Sequence, residues 1–84
     1  MVDQEGKARK ELGVVLSKMR HHEQAVDELT RALELLRRAG YRPQEAETLL
    51  ALGNALSARG LDEAAADAWR QSLVVFSTFR DPDG

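Results

Sequence analysis

The stretch LGNALSARGLDEAA, residues 52–65, restates one that stands forty residues earlier, LGVVLSKMRHHEQA, residues 12–25. Leu, Gly, Leu, Ser and a final Ala coincide. The register holds beyond that window: Leu12 pairs with Leu52, Gly13 with Gly53, Leu16 with Leu56, Ser17 with Ser57 and Ala25 with Ala65. It survives the intervening turn, where Leu29 pairs with Trp69, Ala32 with Ser72, Leu33 with Leu73 and Leu36 with Phe76. Two unrelated amphipathic helices would not keep one register across a loop. The chain holds two copies of one helix–turn–helix unit.

Apolar and small residues fall at helical spacing nearly throughout, and no stretch alternates as a half-buried strand would. A first helix is expected over about residues 3–18, with Ala8, Leu12, Val15, Leu16 and Met19 on its apolar side. A second is expected over about 23–38, with Ala25, Leu29, Ala32, Leu33 and Leu36 in register. Gly40 follows it as a C′ residue, where a left-handed conformation costs glycine little. Pro43 opens a third helix reaching about Ala58, since proline suits the first helical position. Gly60 ends that helix, and Asp62 and Glu63 place negative charge at the amino-terminal dipole of a fourth. The expected fold is all-α: two stacked helix–turn–helix hairpins, four helices, in one domain spanning residues 1–84, with units at about 6–42 and 43–80.

A glycine inside a helix costs about 1 kcal/mol relative to alanine, so Gly13 and Gly53 need a reason. Close approach of the two helices of a hairpin supplies it. Ala25 and Ala65 are the expected opposites, with Leu29 and Trp69 adding bulk one turn on.

These residues resemble a tetratricopeptide repeat. That family places Leu-Gly in its first helix, then a large residue, then Ala, a large or aromatic residue and a small one at fixed intervals. Leu12, Gly13, Leu16, Ala25, Leu29 and Ala32 fit, as do Leu52, Gly53, Leu56, Ala65, Trp69 and Ser72, with Gly60 as the turn glycine. The chain departs from the pattern in three places. Its period is forty rather than about 34 residues, Arg9 and Leu49 stand where an aromatic is usual, and Arg20 replaces the first turn glycine. Long units of this kind look like the repeats of multidomain actinobacterial regulators and signalling proteins. The resemblance implies an α-solenoid fragment that acts as a protein–protein interaction scaffold without catalysis.

Composition agrees with a small soluble domain. The chain has 84 residues, 31% of them charged, and a net charge of −2, which is far from the basic footprint of a nucleic-acid binder. With no cysteine there is neither a disulfide nor a thiolate metal site. No run approaches the ~20 apolar residues of a membrane span, and the polar amino terminus lacks the apolar core of a signal peptide. A cytoplasmic location is the expectation.

No arrangement of residues suggests catalysis or a cofactor. His21 and His22 are adjacent and point in different directions, so they read as an inter-helix turn rather than as metal ligands. Asp27 with Arg31, and Glu34 with Arg38, read as surface pairs along one helix. Trp69 reads as core.

Helical repeat arrays present a concave face along which partner peptides lie. By the resemblance, the residues facing it are Lys7, Lys10, Val14, Ser17 and Lys18 in the first unit and Glu47, Leu50, Asn54 and Ser57 in the second. Lys10 and Asn54 match the Lys and Asn with which some family members clamp a peptide's terminal carboxylate, although Val14 stands where such a clamp has Asn. A solvated helix face and a weak site for an acidic peptide both remain open.

The last helix reads LVVFSTF and is no polar cap, whereas stable arrays use about three units and a polar end. In the second helix the outward stripe is expected to be Ala32, Leu35 and Ala39, covered by the third helix. In the fourth, the equivalent stripe is Ala68, Ser72, Val75 and Phe79, with nothing to cover it. A second copy pairs with it across a two-fold axis, giving a homodimer, or the chain is a piece of a longer array whose next repeat lies there, or Val75 and Phe79 fold back onto the last turn of a marginal monomer. The ending STFRDPDG trails into turn-forming residues.

Overall fold

The structure, a computed structural model, describes the backbone of residues 2–80 and the side chains of residues 4–79. The turn-forming residues 81–84 lie outside the described part. The chain runs through four α-helices, α1 (Val2–Lys18), α2 (His22–Ala39), α3 (Arg42–Ala58) and α4 (Asp62–Arg80), with no strand among the described residues. None is long and apolar enough to cross a membrane. The helices pack as two antiparallel hairpins, α1 on α2 and α3 on α4, stacked through α2 and α3, with a slight contact between α1 and α3. They occupy 39 × 31 × 16 Å, and the thin dimension corresponds to about two helix layers at interaxial distances of roughly 8–10 Å.

The three turns share one construction. At each, a residue one or two positions past the helix turns left-handed and its N–H donates to a carbonyl three residues back. The next N–H donates five residues back, which is the Schellman arrangement. Arg20 donates to Ser17 and His21 to Leu16; Gly40 donates to Arg37 and Tyr41 to Leu36; Gly60 donates to Ser57 and Leu61 to Leu56. The φ angles are 68°, 75° and 80°. Gly40 and Gly60 take this conformation without penalty, whereas Arg20 adopts it with a Cβ that crowds the following carbonyl. Pro43 lies in the first turn of α3, one residue after Arg42 opens the helix.

Within each hairpin a glycine meets a bulky side chain. A Cβ built on Gly13 would lie 2.6 Å from Leu29 Cγ, and one on Gly53 would lie 2.4 Å from Trp69 Cδ1 and Nε1. The expected opposites, Ala25 and Ala65, are fully buried. The large residue one turn on, however, is what rests on the glycine, because its side chain leans back over the preceding turn. Gly6 makes a third such contact, its missing Cβ standing 3.1 Å from Leu36 Cγ and Cδ2. The core has two parts. Ala25, Leu29 and Ala55 are joined by Val14, Leu16, Val26, Ala51 and Leu52. Leu33, Ala46, Leu49 and Val75 are joined by Leu52 and Phe76.

Three expectations are corrected. The apolar side of α1 is not its buried side: Leu12, Val15 and Met19 are 48%, 51% and 58% exposed and Ala8 is exposed too. The face of α1 toward α2 carries Gly6 and Gly13 instead, and a glycine face leaves no mark in a hydrophobic pattern. The stripe of α4 assigned to a partner chain is turned inward. Ala68, Ser72 and Val75 are buried, and the Ser72 hydroxyl donates to the Ala46 carbonyl of α3 at 2.9 Å. Only Phe79 remains exposed, its ring 5.5 Å from that of Phe76. The outward face of α4 instead carries Leu73 and Val74, about 100° and 200° further round the helix than Ser72. Finally, neither Asp27–Arg31 nor Glu34–Arg38 forms among the described residues. The ion pairs mostly tie elements together: Arg9–Glu28, Lys10–Glu47, Arg37–Glu45 and Arg59–Glu23.

Candidate functional site

Helical spacing and the repeat place the candidate groove residues in two equivalent sets. Lys7, Lys10, Val14 and Ser17 lie along α1, and their counterparts forty residues on, Glu47, Leu50, Asn54 and Ser57, lie along α3. These residues are three or four apart on each helix, so each set forms one stripe. The slight approach of α1 to α3 brings the stripes side by side. Val14 is half-buried against the core part that also holds Ala51 of α3.

The stripes are joined by a charge pair. Lys10 Nζ donates to Glu47 Oε1 across the groove. Lys7 is held differently, its ammonium 4.8 Å from the centroid of the Tyr41 ring, within range of a cation–π attraction. Lys18 is exposed at the far end of α1. On α3, Leu50 is exposed, and the Asn54 carboxamide oxygen accepts a hydrogen bond from Trp69 Nε1 at 3.2 Å. That bond fixes the orientation of Asn54 and turns its NH₂ group away from Trp69, so its two donors are available to a ligand. Trp69, which is half-buried, therefore has two tasks: it packs on Gly53 and it aims Asn54. Nothing in the spacing of the sequence indicated either the Lys10–Glu47 pair or the Trp69–Asn54 bond, since both depend on how far apart the helices lie.

Other candidates are less developed. His21 is exposed, while His22 is half-buried with its Nδ1 enclosed and without a hydrogen-bond partner. Among the described residues no three His, Cys, Asp or Glu side chains converge to hold a metal ion. Arg9 lies off the groove, donating to Glu5 at 3.0 Å and to Glu28 at 2.9 Å. These bonds, Glu5 first, hold its guanidinium above the ordinary arginine pKa. A shallow depression between Leu12, Leu16, Gln24, Asp27 and Glu28 opens along the outer side of the first hairpin, away from the groove residues.

No curated protein and no solved structure gives a significant match to the chain. A family model described as tetratricopeptide repeat does match, over residues 5–76. That span takes in most of both hairpins and all three glycine contacts, and the chain belongs to the tetratricopeptide repeat family.

Proposed function

We propose that this chain is a non-catalytic interaction scaffold whose α1–α3 groove takes an extended acidic peptide. Membership of the repeat family supports a protein-binding role in general. The Lys10–Glu47 pair carries the finer reading. Glu47 lies 53% exposed on the groove and holds the ammonium of Lys10, so an incoming carboxylate competes with an internal one for the same cation. Leu50 offers an apolar contact beside that cation, and Asn54 offers two amide donors one turn along. Binding is weak by construction, because the resident carboxylate must be displaced first.

A fluorescein-labelled acidic octapeptide with a free carboxyl terminus, followed by fluorescence anisotropy, tests this reading. Glu47→Gln removes the competing charge, and exposed pairs of this kind are worth about 0.2–1 kcal/mol, so affinity should rise roughly 1.4- to fivefold. Lys10→Ala should weaken binding by at least that factor, and added salt should weaken it further. Unchanged affinity in Lys10→Ala would remove the groove from consideration. A second reading, a regulatory or oligomerisation segment of a larger transcriptional or signalling protein with no ligand of its own, draws support from the apolar residues exposed on α1 and α4.

A further inference from the structure

The two ends of the stack are halves of a seam that the chain already contains. At the internal seam, α2 offers Leu33 to α3, and Leu33 is 7% exposed. The position forty residues on is Leu73 of α4, which is 67% exposed. From the other side, α3 contributes Leu52, half-buried against both parts of the core, and Ala55, fully enclosed. Their counterparts on α1 are Leu12 and Val15, about half exposed. The outer face of α4 is thus an α2 face without its α3, and the outer face of α1 is an α3 face without its α2.

We propose that these two faces cover each other between copies of this chain, α1 of one copy docking on α4 of the next in the geometry of the α2–α3 seam. The reading goes beyond the groove and uses other surfaces. Side-chain volumes fit it. Inside, Val26 of α2 packs against the core part that holds Ala55 of α3; at the ends, Ala66 of α4 would meet Val15 of α1, so the large and small partners exchange sides and their summed volume is kept. Charge fits as well. The ion pairs flanking the internal seam, Arg37–Glu45 and Arg59–Glu23, become Ser77 with Glu5 and Met19 with Glu63, which sets no like charges against each other. Arg9, which stands where Leu49 does, is neutralised within its own copy by Glu5 and Glu28. Such a contact is heterologous and leaves a free face at each end, so assembly continues beyond two copies instead of closing as a two-fold dimer.

Two variants, each blocked at one end, test this by light scattering over a concentration series: Leu12→Glu with Val15→Glu on α1, and Leu73→Glu on α4. All three positions are exposed, and helical circular dichroism verifies folding, with lysine replacing glutamate as a second version of each variant. The wild type should grow past twice the monomer mass, each variant alone should be monomeric, and their equimolar mixture should stop at two copies. A wild type that stays monomeric up to millimolar concentration would overturn the proposal. So would an α1-blocked variant that still dimerises, which would point to an α4–α4 pairing, and so would a mixture that remains monomeric while the wild type associates.

Discussion

Replacing Gly53 with alanine sets helix propensity against packing at one atom. The added Cβ favours the α3 helix by about 1 kcal/mol. It would also stand 2.4 Å from Trp69 Cδ1 and Nε1, more than 1 Å inside the roughly 3.5–4.0 Å of a good carbon contact. The indole cannot yield by rotating its far end, because the atoms in the way belong to the ring edge that donates to Asn54. Overpacking of this kind costs about 1–3 kcal/mol, and loss of the Trp69–Asn54 bond adds about 0.5–1.5 kcal/mol. The net expectation for Gly53→Ala is a loss of roughly 2 kcal/mol, or about 10 °C in Tm for a domain of this size. Gly13→Ala meets Leu29 at 2.6 Å with no hydrogen bond at stake, and should cost roughly 1 kcal/mol once propensity is counted. Gly6→Ala meets Leu36 at 3.1 Å, a gap that a few tenths of an ångström relieve, and should fall within about 0.5 kcal/mol of wild type. Urea denaturation followed by far-ultraviolet circular dichroism and by the fluorescence of the single tryptophan gives all three values. The order Gly53, Gly13, Gly6 is the prediction. A Gly53→Ala protein more stable than wild type, or three equal losses, would refute close approach as the reason for these glycines.

Arg20→Gly should stabilise the chain by about 0.5–1 kcal/mol, since a left-handed non-glycine residue costs about 1–2 kcal/mol and the greater freedom of unfolded glycine returns part of that gain; thermal melting reads it, and a fall in Tm would contradict the assigned φ of 68°. Ser72→Ala should lose about 1 kcal/mol in the same urea series, because the buried hydroxyl bonded to the Ala46 carbonyl has no water to replace it.

The hairpin turns were legible because they are local. Gly40 and Gly60 mark their helix ends by the backbone they permit, and the same hydrogen bonds form at Arg20 because the flanking helices require that turn whichever residue occupies it. The repeat register was equally legible: Gly13 and Gly53 report close approach through what they lack. Helical spacing grouped the candidate groove residues into stripes, yet the two polar connections among them, Lys10 to Glu47 and Trp69 to Asn54, needed distances across helices.

By itself the sequence determined the four helices, their ends and the forty-residue register shared by the two units, since propensity, capping and size class act within a turn or between equivalent positions. Which face of each helix is buried was decided only by tertiary packing. Leu12 and Val15 look like core on a helical wheel and are about half exposed, while Ala68 and Ser72 were expected on an uncovered stripe and are enclosed. The reason is that every helix in a stack has two partner-seeking stripes, and an apolar residue has the same character in both. Only the number of units stacked beside it settles whether that residue is covered.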